Sequence, residues 1–203
     1  LGMISGLLLG FGLLLPGPAH QDILRFRPGD VALFRLWEWW SGHWVHWSLS
    51  HAVWDLLAWG ILAFWLEKRL GAKALWGGVF ILSPVISLGI VVMYPDITTY
   101  AGLSALACAL FSWALTEKWI RREGRGEVLI WASLFAAKAG LDASYGPAGL
   151  FAGELGAGAV SLAGSHLIGA AAGLGYALTC HNRRSGVPPF STICGHRVRE
   201  PSP

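Results

Sequence analysis

The stretch "ALWGGVFILSPVISLGIVVMY", residues 74–94, carries no charged side chain over its whole length. An α-helix rises about 1.5 Å per residue, so this stretch is long enough to cross the roughly 30 Å hydrocarbon core of a bilayer. Apolar residues make up 54% of the 203-residue chain and charged residues only 13%. Together, the stretch and the composition predict a membrane protein rather than a soluble domain.

Other apolar stretches lie on both sides of residues 74–94, and they predict an all-α, polytopic membrane protein. The six predicted spans lie near residues 1–15, 44–66, 74–94, 100–120, 127–145 and 159–180. The short loops leave no room for a second domain, so we expect one membrane domain at 1–181 and a flexible tail at 182–203. Span 1–15 is short, which has two explanations: the numbering begins inside this helix, or the segment is a signal peptide that lacks a basic start.

Basic residues between the spans indicate the orientation of the chain. They are concentrated in the loops after spans two and four and in the tail: Lys68, Arg69, Lys73, Lys118, Arg121, Arg122, Arg125, Arg183, Arg184, Arg197 and Arg199. The positive-inside rule places these segments, and with them both termini, in the cytoplasm. The long first loop, 16–43, has balanced charges, and tryptophans in and just after it suit the outer interface: Trp37, Trp39, Trp40, Trp44 and Trp47.

Two classes of partner are excluded by charge and spacing. A formal net charge of +3 is too small to indicate nucleic-acid binding. The cysteines and histidines near the C terminus match no zinc-ligand spacing, so we expect neither a metal ion nor a cofactor. The expected partners are the lipid bilayer and other membrane-anchored proteins.

Three polar residues share one predicted layer of the membrane. Spans two, four and six all enter from the outer face, which places His51 and His166 roughly 10–12 Å deep and Ser104 at a comparable depth. Ionisable side chains inside a membrane are costly and usually face a bundle interior or a wet cavity. The layer therefore indicates a site, although each residue alone could serve only helix packing or a hydrogen bond between helices.

Four short motifs in this order resemble the rhomboid intramembrane serine proteases. They are "HWSLSHAVWDLLAW" (46–59), "LEKRLG" (66–71), "GLSA" (102–105) and "SHLIGAAAG" (165–173). Each motif is short, but the combination falls on the matching spans and covers nearly the whole six-helix core. The resemblance implies a six-helix bundle and an endopeptidase without a cofactor.

The resemblance also implies roles for individual residues. Ser104 would be the nucleophile and His166 its general base. His51 would help to bind the oxyanion beside the backbone N–H of Ser104. Gly102, Gly169 and Gly173 would let the helices around the site pack closely, with the two glycines of span six facing span four.

This sequence departs from the common rhomboid pattern at three positions. Asp55 stands where general rhomboids carry asparagine, so it could donate to an oxyanion only when protonated, and otherwise it could orient His51. Ala105 replaces the glycine that follows the nucleophile. Glu38 follows Trp37 where many rhomboids have arginine, so the first loop is not assured to be anchored in the same way.

The aspartate at position 55, the compact chain and the first-loop phrase look most like the rhombosortase branch of bacterial rhomboids. Lys138 and Asp142 add to this resemblance, and we favour an ion pair within one helix over a role in substrate choice. The branch implies the bacterial inner membrane and substrates with glycine-rich C-terminal sorting tails. A general rhomboid would instead cut transmembrane helices near their outer ends.

Two functions of other classes remain open from the sequence. The chain could be an inactive rhomboid relative that binds membrane proteins, as the residues at 38, 55 and 105 suggest. It could also be a small transporter or scaffold whose histidines relay protons. Such a protein would keep its function after Ser104→Ala, whereas a protease would lose cleavage.

Overall fold

The computed structural model describes residue 6 and residues 23–29, 35–145 and 162–184. These residues form six helices: α1 (Glu38–Ser41), α2 (Leu49–Leu70), α3 (Ala72–Met93), α4 (Ser104–Ile120), α5 (Arg125–Tyr145) and α6 (Ala163–Arg184). In the described ranges the one β-type pairing is an isolated bridge between Phe26 and Tyr100. The predicted all-α architecture is confirmed for this part of the chain.

Helices α2 to α6 correspond to predicted spans two to six, with ends shifted by a few residues. The start of span four was predicted too early, because the helix begins at Ser104 and not at residue 100. Tyr100 exchanges backbone hydrogen bonds with Phe26, and Gly102 has a φ of +135°, which no helix accommodates. Span 1–15, apart from residue 6, and most of the tail lie outside the described residues.

Two of the described helices, α2 and α3, are long and apolar enough to cross a membrane by length and composition alone. Both direct large apolar side chains outward; Ile61 is 71% exposed and Phe80 is 64% exposed. Helix α4 is shorter and lies in the middle of the bundle, where it contacts α2, α3, α5 and α6. The exposed apolar surface on the outer helices suits lipid, and α4 forms the interior.

Helices α4 and α6 touch through their backbones. A Cβ atom built on Gly169 would lie 2.0 Å from the carbonyl oxygen of Ala105, and one on Gly173 would lie 2.0 Å from that of Ala109. No side chain fits at those distances, so glycine is required at both positions for this approach. In the structure, Gly169 and Gly173 of α6 both lie against the backbone of α4.

Buried ion pairs anchor the first loop. Glu38 is 1% exposed and accepts hydrogen bonds from the backbone N–H and the guanidinium of Arg27, and it also pairs with Arg35. The acid at this position is therefore neutralised by two arginines of the same segment. Glu38, which departs from the common rhomboid pattern, is therefore compensated by Arg27 and Arg35.

His43 joins the first loop to α3. Its ring is fully buried, and Nε2 lies 3.0 Å from the carbonyl oxygen of Ser83 and 3.2 Å from the hydroxyl of Ser87. Burial lowers the pKa of His43 from 6.5 to about 4, so the ring is neutral at pH 7. This histidine is part of the structural core of the loop.

The tryptophans of the first loop do not all form an interface belt as predicted. Trp37 is exposed, but Trp44 is buried and packs edge-on against Trp59, with ring centroids 5.0 Å apart, and stacks on Trp76. The interior between α2 and α3 has room for a large ring, and burying an indole there removes much apolar surface from water. Trp44 is therefore a core residue.

The opposite end of the bundle is tied together by ion pairs between loops. Arg69 at the end of α2 pairs with Glu123, and Lys118 at the end of α4 pairs with Glu127 at 2.6 Å. The basic loops after spans two and four therefore meet at one end of the bundle. This arrangement agrees with the alternating course of the chain that the positive charges predicted.

Candidate active site

Ser104 is the first residue of α4, directly after the extended segment that ends at Gly102. The φ of +135° at Gly102 turns the chain into the helix, and a Cβ there would lie 2.8 Å from the Cε1 atom of His51. The glycine thus serves both the backbone conformation and the close approach of the imidazole. At a helix start the backbone N–H groups of the first turn have no partner within the helix and point out of its end.

His166 faces Ser104 from α6. Its Nε2 atom lies 3.1 Å from the hydroxyl oxygen of Ser104, across the interface that Gly169 and Gly173 bring into contact. This distance is within the range in which a base can take a hydroxyl proton. The structure thus brings together the two residues that the resemblance named as nucleophile and base.

Asp55 is the acceptor at the centre of a buried polar cluster. Its Oδ2 atom accepts a hydrogen bond of 2.8 Å from the backbone N–H of Leu103 and lies 3.3 Å from Nε2 of both His51 and His46. The carboxylate therefore holds the residue before Ser104 and is close to two imidazoles at once. Of the two roles weighed for Asp55, this geometry favours orientation of His51 over donation to an oxyanion.

His46 was missed by sequence reasoning. It is 2% exposed, lies in the segment before α2 and packs edge-on against His51 with ring centroids 5.3 Å apart. No helical spacing links it to His51, because it precedes the helix that begins at Leu49. The available signal was the histidine-rich phrase 43–51, which contains three histidines close to one acid.

Lys138 and Asp142 lie on α5, on the other side of His166. The Lys138 ammonium is 2.5 Å from Oδ2 of Asp142. The two residues are four apart in sequence, which is the spacing of an ion pair along one helix. The same Oδ2 atom lies 3.7 Å from Nδ1 of His166. No pattern of neighbouring residues indicates that this pair adjoins the candidate base, because α5 and α6 meet only in the folded bundle.

Ala105 is fully buried at the contact between α4 and α6. Gly169 lies against its backbone carbonyl, so the alanine is accommodated while the two helices remain in contact. The exchange of glycine for alanine after Ser104 therefore does not separate Ser104 from His166.

The described residues contain no group of three or more His, Cys, Asp or Glu side chains arranged to hold a metal ion. In the cluster around Asp55, one carboxylate oxygen accepts the Leu103 N–H and lies 3.3 Å from the Nε2 atoms of His46 and His51.

The family model of the Rhomboid domain matches residues 33–183, which is most of the 203-residue chain and contains Ser104, His166 and the cluster around Asp55. No curated protein matches the chain significantly. The matched range and the helical bundle show that this chain is an integral membrane protein that belongs to the rhomboid family, whose members are intramembrane serine proteases.

Proposed function

We propose that this chain is an active intramembrane serine endopeptidase with a Ser104–His166 dyad. The observation that carries the proposal is the 3.1 Å distance between Nε2 of His166 and Oγ of Ser104. The hydroxyl of serine is a weak nucleophile until an adjacent base accepts its proton, and an imidazole at this distance is such a base. Lys138 and Asp142 are proposed as an ion pair within α5.

The reaction follows from these groups. Oγ of Ser104 attacks the carbonyl carbon of the peptide bond while its proton moves to Nε2 of His166, and a tetrahedral oxyanion forms. The C–N bond then breaks, the proton passes from His166 to the leaving amine, and an acyl ester remains on Ser104. Water, deprotonated by His166, attacks the carbonyl carbon of the ester and forms a second tetrahedral intermediate. The bond from this carbon to Oγ of Ser104 then breaks, the new carboxylate leaves, and His166 returns its proton to Oγ.

The oxyanion is proposed to lie between the start of α4 and His51. The backbone N–H of Ser104 is at the helix start, and the imidazole of His51 lies against Gly102, two residues earlier. Donors preset in a site that excludes water are worth several kcal/mol, about 3 for one donor. Asp55 supports both groups, because it holds the Leu103 N–H and lies beside His51.

The proposed substrates are membrane-anchored proteins cut near the outer face of the membrane. A protease of this type must receive an extended backbone, so glycines near the cut would help by destabilising a substrate helix. Within this class, we favour rhombosortase-like removal of glycine-rich C-terminal sorting tails at the bacterial inner membrane, with both termini of the enzyme cytoplasmic. Cleavage of ordinary transmembrane helices, as in general rhomboids, is the alternative.

Labelling by a serine-directed fluorophosphonate probe tests the dyad. Purified wild type in detergent is expected to be labelled, whereas Ser104→Ala and His166→Ala are expected to lose labelling by about 1,000-fold or more. Ser112→Ala is the matched control, because Ser112 lies on the same helix and should label as wild type does. Equal labelling of all four proteins, or none of the wild type, would favour the inactive membrane-protein binder.

Two reporter substrates in proteoliposomes test the preferred substrate class. One carries a glycine-rich motif, a membrane helix and a basic tail, and the other has the glycines replaced by leucines. A rhombosortase-like enzyme cuts the first and spares the second, and Ser104→Ala cuts neither. Cleavage of unrelated transmembrane helices at the same rate as the first reporter would identify a general rhomboid.

A further inference from the structure

The ring of His166 lies between two partners on different helices. Nε2 faces the hydroxyl of Ser104 on α4, and Nδ1 faces the carboxylate of Asp142 on α5, 3.7 Å away. Asp142 is 5% exposed, one of only two α5 side chains that are buried in the described part of this helix. A buried carboxylate is stable only with a charged or hydrogen-bonding partner, and the imidazole of His166 is one such partner for Asp142.

The protonation chemistry of His166 gives this contact a function. A neutral imidazole carries its proton on one ring nitrogen, and Nε2 can accept the Ser104 proton only when the proton is on Nδ1. Nδ1 is buried and has no hydrogen-bond partner among the described residues. A carboxylate beside Nδ1 favours the tautomer with the proton there, and it stabilises the positive ring that forms when Ser104 is deprotonated.

Lys138 keeps the carboxylate in place. Its ammonium lies 2.5 Å from the same Oδ2 atom that approaches Nδ1, and its side chain is 42% exposed whereas that of Asp142 is 7% exposed. The lysine thus reaches the pair from the outside, and the acid faces His166. An ion pair that stabilised only the helix would need neither the burial of Asp142 nor its proximity to the ring.

No other described carboxylate is as well placed. The Oδ2 atom of Asp55 on α2 already accepts the Leu103 N–H and lies beside His46 and His51. Asp142 is the acid on the Nδ1 side of the ring. At 3.7 Å it is beyond a direct hydrogen bond, so it acts on the imidazole through its charge and orientation.

We propose that Asp142 is a positioning residue for His166, which makes Ser104, His166 and Asp142 a chain of three groups with Lys138 as the outer support. This inference rests on the proposed protease function. In this arrangement α5 contributes to the reaction by orienting His166, a contribution that a Ser–His dyad alone does not have.

The test compares single and double variants in purified, full-length protein reconstituted with a cleavable reporter. Asp142→Asn is expected to lower kcat about 10- to 100-fold with little change in KM, because the loss falls on the chemical step. Lys138→Met leaves the carboxylate beside His166, so we expect a loss of less than about 5-fold. Asp142→Glu is expected to restore part of the lost kcat.

The double variant Lys138→Met/Asp142→Asn separates positioning from ion pairing. If Asp142 serves only the ion pair, the two single variants lose a similar amount of activity, and the double variant, which leaves no unpaired charge, recovers it. If Asp142 positions His166, the double variant stays as impaired as Asp142→Asn. Nitrogen-15 NMR of histidine-labelled protein adds a direct readout: wild type should carry the His166 proton on Nδ1, and Asp142→Asn should populate the other tautomer.

The outcomes distinguish this inference from the proposed function. A wild type that neither cleaves the reporter nor labels at Ser104 overturns the protease proposal itself. A wild type that cleaves, with Asp142→Asn equal to it in kcat and in the His166 tautomer, overturns the role of Asp142 and leaves the protease in place. If Asp142→Asn fails to fold, the folded double variant decides the matter by the same kcat comparison.

Discussion

Helices α6 and α5 both approach the candidate dyad, but they do so in different ways. Helix α6 meets α4 backbone to backbone at two glycines, and this contact sets the distance between His166 and Ser104. Helix α5 exposes most of its described side chains and buries Val128 and Asp142. The position of the base is therefore set by the close fit of α6 against α4, whereas α5 acts on the base through the Lys138–Asp142 pair.

The largest expected effect on activity comes from a variant that disturbs the contact between α6 and α4. Gly169→Ala places a Cβ where the Ala105 carbonyl oxygen is only 2.0 Å away, so α6 must move and take His166 with it. Overpacking of this kind costs about 1–3 kcal/mol of unfolding free energy. Since a 1 Å misplacement can cost about 100-fold in rate, reporter cleavage is expected to fall by at least that factor.

Gly175→Ala is the matched control for this variant. It lies on the same helix, and a Cβ built on it meets no atom within 4 Å. Its activity is expected to equal that of wild type, with a small gain in stability because alanine favours helix. Equal losses in the two variants would show that the glycines act through helix propensity and that the contact does not set the site.

A second prediction compares the interior of α4 with the outward face of α5. Leu110→Ala removes a side chain that is fully buried and should lower the unfolding free energy by about 2–5 kcal/mol. Leu134→Ala removes one that is 55% exposed, and we expect a change of about 0.5 kcal/mol or less. Steric trapping or denaturant unfolding in mild detergent measures both, and a large loss at Leu134 would mean that α5 packs more tightly than its exposure indicates.

A third prediction extends the comparison to the contact of the first loop with α3. The pKa of His43 is lowered from 6.5 to about 4 by burial, so the unfolded chain binds a proton more readily than the folded one. This contribution to stability is full above pH 6.5 and is lost as the pH falls toward 4. Wild type should lose about 2 kcal/mol from this group between pH 8 and pH 5.

His43→Gln isolates that pH dependence. The glutamine can still donate to the carbonyl oxygen of Ser83 but does not titrate, so its stability should change less over the same pH range. The quantity to measure is the difference between the two proteins at each pH, because other groups titrate in both. Parallel curves for wild type and variant would contradict a buried, neutral His43.

The smallest expected effect concerns the cluster on α2. Asp55→Asn keeps a carbonyl oxygen that can accept from Leu103 N–H but removes the charge beside His46 and His51. We expect a stability change of about 1 kcal/mol and a loss of activity smaller than that of Gly169→Ala. Asp55→Ala, which also removes the acceptor, should cost more, and equal values for the two would show that charge and not the hydrogen bond to Leu103 is what matters.

Helices α2 to α6 were predictable because each is a continuous apolar stretch of sufficient length, which is a property of neighbouring residues. The family resemblance is confirmed by the match to the Rhomboid domain over residues 33–183. The ends of the helices were less predictable, as the start of α4 shows. That end depends on pairing of residue 100 with residue 26, which no window of neighbouring residues contains.

Short sequence motifs were enough to name Ser104, His166, His51 and Asp55, since each occurs in a motif that has a known order along the chain. His46 and the proximity of Asp142 to His166 could not be found in this way, because both arise where separate segments meet. Trp44 shows the same limit: its neighbours in sequence suit an interface, and its neighbours in space make it core.

The amino-acid sequence is enough to predict that this chain forms apolar helices and to locate its charges, glycines and candidate site residues along them. Hydropathy, helix length and motif order are properties of residues that are near one another in sequence, so they can be determined without the structure. Three contacts come from the packing of the helices: Gly169 touches Ala105, Asp55 lies beside two histidines and accepts one backbone N–H, and Asp142 adjoins His166. Those contacts depend on how whole helices pack, which is settled by the summed fit of many side chains and not by any short motif.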